Sequence, residues 1–587
     1  MKFGNHESKS FRAALVAALL SLTVVTAAPA QDAATLSDLR TKADGGDAKS
    51  QLALGLRYYI GQGVLQHYGE AAKWFRQAAE KGEATAQKNL ALMYLNGEGV
   101  ELDARQAANW FTRAAVQGDI LSMQNLGVMH VRGAGVDKDP AAAVQWFTQA
   151  ANKGDVTSQK NLGVLLAQGV GGKQDFAKAA EWFEKAAAQG DITSQTELGV
   201  LYANGLGVKQ DVQKAMDWFR KAAEKGAVQA QKNLGILHFR QAPDEANDAI
   251  ALRWLREAAK AKNPEAHYYL GLMYANGRGV AKDDTEAVNY YRVAADAGIP
   301  VAQNELGWMH DQGKGVAKDD AKAFEWYRKA AQAGLSVAQH NLGIMYANGR
   351  GVAKNVQTAI EWYRKAADAG NVRSQAALAS LFEAGPDGAK DPKEAFKYYL
   401  QTAQQGAPAA QNKIGFFYDR GLGVEKNDAE AFKWYLKAAQ NDFPIALYNV
   451  AVMYANGRGT DKDMVLAAQW FHKAADQGNI AAQAELGRIY YNGLGMSKDK
   501  EAGAKWFAKA ADAGFHFAQQ GMGIACFEGE GVKKDLVEAY KWFNLAAAQG
   551  NTNAVTNREV VRRQLTPEQI SEGQNRALQF KPKAPAK

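Results

Sequence analysis

An aromatic residue returns every 36 positions from Trp74 to Trp542 without one slip of register, as tryptophan everywhere except Tyr290 and Tyr398. A glycine keeps the same beat, except at Lys262 and Asp442, from Gly46 through Gly82 and Gly118 to Gly550, an interval of 504 residues, or 14 units of 36. A globular chain with insertions loses phase within about two or three such intervals, so the period restricts the fold to an array of one small unit. Length alone would argue for several domains. The repeat replaces that prior, because an array is one continuous stack whose core runs along it.

The stretch Leu335 to Gly370 shows the unit most plainly. Ala338, Leu342, Met345 and Tyr346 fall on one face of a helix. Gly349-Arg350-Gly351-Val352 then breaks it, since glycine adopts backbone angles that other residues avoid. Asn355 caps a second helix whose apolar stripe is Ala359, Trp362, Tyr363, Ala366 and Ala367, and Gly370 ends it. Neither helix buries its stripe alone. The unit is a helical hairpin that is stable only against its neighbours, and the fold class is an all-α solenoid of 14 helix-loop-helix repeats.

In chain order, residues 1–30 read as a secretory signal: basic Lys2, Lys9 and Arg12, an apolar run from Ala13 to Thr26, and Ala28-Pro29-Ala30 as the cleavage site before Gln31. The apolar run is too short to span a bilayer, and no later segment qualifies either. Removing it takes three basic and one acidic residue, so the formal charge falls from +8 to +6. Residues 31–46 carry a degraded half-repeat, Leu36, Leu39 and Ala43 with Asp38 in the tryptophan phase, which suits a cap with a wet outer side. From 47 to 550 the hairpins follow. Asp47, Asp119, Asp155, Asp191, Asn263, Asn371 and Asn479 open first helices, and prolines follow at 264, 300, 408 and 444. Second helices open mostly on aspartates, from Asp103 to Asp535. These acids are scaffold, not catalytic pairs. The pattern breaks at Gln241 to Asn247 with Lys262-Asn263, at Gly385-Pro386-Asp387-Gly388, and at Asn441 to Pro444; each is either a change of twist or a hinge or partner contact. Beyond Gly550, residues 551–580 form capping helices, the last opened by the capping box Thr566-Pro567-Glu568-Gln569, and 581–587 is a basic tail expected to be disordered.

The signature LGxMYxxGxGVxKDxxxAxxWYxKAAxxG, seen at Leu126-Gly127 to Val136 and at Gly277 to Asp283, resembles the Sel1-like repeat family over about 500 of the 587 residues. That resemblance implies a right-handed α/α superhelix related to tetratricopeptide repeats and used as an interaction scaffold. Secreted bacterial members include periplasmic regulators, exopolysaccharide assembly factors and host-interaction proteins, and the fold does not choose among them. A cysteine-rich branch linked to penicillin binding staples each hairpin with a disulfide. This chain departs from it, having only Cys526, which holds the phase of Tyr346 and Tyr454 and reads as a small buried hydrophobe.

Signs of chemistry are few. His130, His238 and His310 share that same tyrosine phase in separate hairpins, and the remaining histidines make no metal-ligand spacing. Gly169 to Lys173 looks like a phosphate loop, but it is the repeat loop in register, with Gln174 where a magnesium-binding hydroxyl belongs. No nucleophile motif or isolated carboxylate dyad appears, so the chain reads as a non-enzyme without cofactor or metal. A charge of +6 after signal removal, interleaved with acids in every unit, argues against nucleic acid and for a protein partner, with an acidic protein or anionic glycan as candidates.

First helices usually line the concave wall of such stacks. One phase on them recurs as Asn89, Asn125, Asn161, Asn233, Asn341 and Asn449, and a second, two turns on, carries Arg132, Arg240 and Arg420. Amides suit a peptide backbone or sugar hydroxyls and guanidinium suits carboxylates, but the amides equally suit bonds inside the stack. Trp308 replaces an aliphatic residue seen at Val128, Val164, Ile236 and Ile344, and Arg488 shares its phase; Trp308 is either a larger core filler or an exposed anchor. These observations point to an exported periplasmic scaffold binding a protein, regulatory or in envelope or exopolysaccharide assembly. The rivals are a cell-envelope hydrolase or penicillin-interacting enzyme, and a glycan-binding module.

Overall fold

A computed structural model describes residues 36–385 and 389–583. The signal-like segment, the first residues of the N-terminal cap, the loop residues Pro386, Asp387 and Gly388 and the last four residues of the tail lie outside the described residues. The chain divides into two compact units, Met1–Ile299 and Pro300–Lys587, and each is a row of the same hairpins. Every described element is an α-helix, most of them 13 residues long, about 20 Å. Within each unit a first helix packs on its own second helix, and that second helix packs on the next first helix.

The caps explain why each helix starts where it does. Asp155 accepts the Ser158 N–H at 2.6 Å, and Asp103 accepts those of Arg105 and Gln106 at 2.9 and 3.0 Å. Prolines occupy the first helical position after Asn263 and Ala407, where the missing N–H is harmless. His67 does the work of an aspartate, its Nδ1 accepting from the Glu70 N–H at 3.0 Å. Two glycines per loop do different jobs. Gly349 (φ 68°) closes the first helix in the left-handed region. Gly351 (φ 67°) lies so close to the preceding hairpin that a Cβ would sit 2.1 Å from the Asp320 carbonyl oxygen. Where the terminal glycine is absent, Lys262 (φ 58°) and Asp442 (φ 53°) take up the left-handed angle themselves, so the hairpin geometry survives.

The most deeply buried ring lies one residue after the tryptophan phase: Phe147, Phe183, Phe219, Tyr327 and Phe471 are almost fully buried. The tryptophan just before is half-buried at Trp218, Trp326 and Trp362 and buried only at Trp74, Trp110, Trp254 and Trp542 among the described residues. The buried ring lies on a glycine of its own first helix: a Cβ on Gly127 would meet the Phe147 ring at 2.7 Å, and one on Gly343 the Tyr363 ring at 2.6 Å. The tryptophan instead sits under a lysine one turn on, as with Lys365 over Trp362 at 4.1 Å and Lys185 over Trp182 at 3.8 Å.

The irregular segment at Gln241 is shorter than its sequence suggests. Asp244 caps a 16-residue helix beginning at Glu245, so Asn247 is helical and its Oδ1 accepts from the His238 Nδ1 at 2.8 Å. At the far end Thr566 and Gln569 form the reciprocal capping box. Residues 581–583 depart from the expected disorder: the Lys583 N–H donates to the Asp512 carbonyl at 2.8 Å and its ammonium to the Asp512 carboxylate at 2.7 Å.

Candidate functional site

The first-helix asparagines lie inside the stack. Asn89, Asn161 and Asn233 are buried. Asn125 donates to the Leu121 carbonyl of its own helix at 2.8 Å. Asn341 donates to Asn304 at 3.0 Å, and Asn449 to Asn412 at 3.1 Å, each reaching the preceding first helix. Asn125, Asn341 and Asn449 thus bond within the stack, whereas the buried Asn89 amide and the Asn233 Oδ1 find no hydrogen-bond partner among the described residues. The arginines differ. Arg132, Arg240, Arg420 and Arg488 are all exposed. Arg240 donates to the Tyr269 hydroxyl at 3.1 Å, Arg488 to Glu485 at 2.9 Å, and Arg420 lies 5.9 Å from the Phe416 ring. Asn276 and Asn456, in the phase of Arg240, turn back to their own helix carbonyls.

Trp308 is not a core filler. It is 38% exposed, with the Lys314 ammonium 4.6 Å from its ring. In the first unit the same phase is buried at Leu92, Val164, Val200 and Ile236 and half-buried at Val128 and Leu272, while in the second Ile344 is half-buried and Arg488 exposed. One turn before Trp308, burial pushes the Glu305 carboxyl above the ordinary range, against a weak bond from Asn304 at 3.4 Å. Two titratable groups elsewhere are packed away. Burial pushes the Cys526 thiol up to about 12, and burial first, then Arg373, lowers His340, which bonds the Ser374 hydroxyl at 2.9 Å. His238 and His310 are buried in the phase the sequence assigns them. Among the described residues no three metal-ligating side chains come together, and no helix is long and apolar enough to cross a membrane.

Comparison with known proteins decides the family. The Sel1 repeat matches in fourteen consecutive segments, from 48–83 to 516–551. The chain belongs to the Sel1 repeat family. A solved Sel1-type chain, a protective antigen present in uropathogenic Escherichia coli strains, is 32% identical over 93% of this chain and 94% of its own, with a TM-score of 0.40. A Sel1 repeat protein from Oxalobacter formigenes is 33% identical over 42% of this chain and 96% of its own, with a TM-score of 0.34. No match is found among curated proteins.

Two devices of this Sel1 chain escape a reading by apolar periodicity. A glutamine near the start of the first helix donates to the carbonyl eight residues back, at the end of the preceding second helix: Gln87 to Ala79 at 3.0 Å, Gln195 to Ala187 at 3.1 Å, Gln411 to Ala403 at 3.3 Å. That carbonyl also accepts the backbone N–H three residues on, from Gly82, Gly190 or Gly406, and the second bond from the glutamine ties hairpin to hairpin. The residue between the loop glycines does the same with charge. Arg350 pairs with Asp311 and with Asp320 at 2.8 Å, Arg458 with Asp419 and with Asp428 at 2.7 Å, and Arg278 with Asp248. The glutamine was visible as a recurrence at Gln51, Gln159, Gln339 and Gln519, but a polar period carries no signal in a search for buried faces.

Proposed function

We propose that this Sel1 chain is an exported, non-catalytic scaffold of the bacterial periplasm that holds a protein partner along the exposed side of its first helices. The carrying observation is Trp308: a large aromatic ring, partly exposed, in a phase that the first unit fills with aliphatic residues, buried or half-buried. Tryptophan and arginine are the residues that most often carry the energy of protein interfaces. Arg240, Arg420 and Arg488 stand on exposed first-helix positions, which favours a partner bearing carboxylates. Export rests on the signal-like residues 1–30.

The test is a photo-crosslinking amino acid placed in cells at Trp308 or Arg240, and at Glu361 on the exposed side of a second helix. The reading expects protein adducts from the first two sites and none from the third. It also expects Trp308→Ala to weaken capture with little change in melting temperature. Adducts from Glu361 alone, or none at all, overturn it.

A further inference from the structure

In the second unit the first helices Pro444–Asn456, Ile480–Asn492 and His516–Glu528 leave a cleft of about 640 Å³ between them. That is the size of sites that take small ligands or a few side chains of a peptide. The cleft exists because two positions lose their bulk. Ala484 stands in the phase of Tyr448 and Asn412, and Gly521 in the phase of Asn449 and Lys413. Gly521 is required there, because a Cβ would meet the Phe507 ring at 2.7 Å. Phe507 and Tyr491 give a packed apolar floor. At the mouth Phe517 is 59% exposed, against the His516 ring at 4.1 Å and Phe515 at 5.7 Å. No other unit has an aromatic residue in that phase; Val337, Ala409, Ile445 and Ala481 hold it nearby.

The rim is charged, with Arg488, Lys498 and Lys500 set against Glu485, Glu528 and the neighbouring Glu530. The two acids lining the cleft are already engaged: Glu485 accepts from Arg488 at 2.9 Å, and Glu528 from the Tyr491 hydroxyl at 2.9 Å. Lys500 pairs with Glu530 outside the lining and, at 3.9 Å, with Glu528 within it. Lys498 lines the cleft beside Lys500 and pairs with no carboxylate among the described residues. The carboxylates that a sugar's hydroxyls would use are already engaged, and the rings of the floor are buried. An apolar side chain next to a carboxylate meets both the rings and Lys498.

We propose that this cleft is a peptide site that takes an extended segment of a partner protein, seating an apolar side chain on Phe507 and Phe517 and an acidic one on Lys498. The proposal rests on the reading of the chain as a protein-binding scaffold. The experiment is fluorescence anisotropy on the full chain with a fluorescein-labelled, C-terminally amidated hexapeptide, Ser-Asp-Phe-Asp-Leu-Gly, and its twin with Asn for both Asp. The acidic peptide binds about tenfold or more tightly than its twin, and raising the salt narrows the gap. Lys498→Glu, on an exposed loop, lowers affinity by roughly tenfold. Ala481→Phe, a residue the next unit already tolerates in this phase, closes the mouth and abolishes binding; circular dichroism melts verify that both variants fold. Equal binding of the two peptides, indifference to Lys498→Glu, or displacement by a chitin tetrasaccharide overturns the site. Adducts from Trp308 in cells together with a silent cleft would refute this site and leave the scaffold reading standing, whereas peptide binding without such adducts would do the reverse.

Discussion

Replacing single glycines by alanine separates two contributions to the stack. Gly370 has φ 83° and open space around the position a Cβ would take, so Gly370→Ala carries only the strain of a left-handed angle, about 1–2 kcal/mol. Gly351 has nearly the same kind of angle, φ 67°, but its Cβ would overlap the backbone of the neighbouring hairpin, 2.1 Å from the Asp320 oxygen and 2.5 Å from the carbonyl carbon. Backbone in a helix end cannot swing aside as a side chain can, so the two hairpins must part. Overpacking of this kind adds roughly 1–3 kcal/mol, which brings Gly351→Ala to about 2–5 kcal/mol. Guanidinium unfolding gives the difference between the two variants, and hydrogen exchange locates it. Protection is lost at Asp320–Gln332 and the loop 349–355 in Gly351→Ala and not in Gly370→Ala. Equal destabilisation by the two variants would refute the claim that hairpin-on-hairpin contact is what the second loop glycine serves.

Three further outcomes are expected. Phe471→Ala removes a ring that is 1% exposed and costs about 3–5 kcal/mol, while Trp470→Ala, a half-buried ring under Lys473, costs roughly 1–2 kcal/mol; urea unfolding checks the order. Glu305 carries a raised carboxyl pKa in the folded chain, so its contribution is intact below the unfolded value of about 4.3 and is lost as pH rises through the folded one. Glu305→Gln therefore raises the melting temperature at pH 7 and leaves it unchanged at pH 4, and the same change at both pH values would contradict this. Arg458→Ala breaks a clamp on two part-exposed carboxylates, for about 1–2 kcal/mol. Since Arg458 first of all holds the Asp428 carboxyl low, that stability is present above the unfolded carboxyl pKa and lost as pH falls through the folded one, so the variant shows a shallower acid-side decline in thermal melts.

The hairpin was legible because its marks are local: a cap at Asp155, a break at Gly349, a capping box at Thr566. The placement of the core was less so. Trp362 and Tyr363 are about 100° apart on one apolar arc, and periodicity cannot say which of them faces the neighbour. The deciding sign is Gly343, which leaves room for the Tyr363 ring and none for a Cβ. The asparagine stripe was ambiguous for a chemical reason, since an amide satisfies a neighbouring amide as readily as a ligand. Asn341 turns to Asn304, while Arg240 stays exposed. The cleft at Gly521 is hard to read from sequence because it is made by side chains that are missing.

The measurement closest to the central claim, that the fold is a sum of interchangeable hairpins, is deletion of one whole period, residues 156–191. Asp155 would then cap Ile192–Asn204 through the Ser194 N–H, as Asp191 does now, and Gln195 would reach the Ala151 carbonyl that Gln159 holds at 3.2 Å. The account predicts unchanged helicity per residue and a single cooperative melt within a few degrees of the parent, while removal of half a period, residues 156–173, abolishes both. Loss of structure on removing the whole period, or equal tolerance of the half, would contradict it.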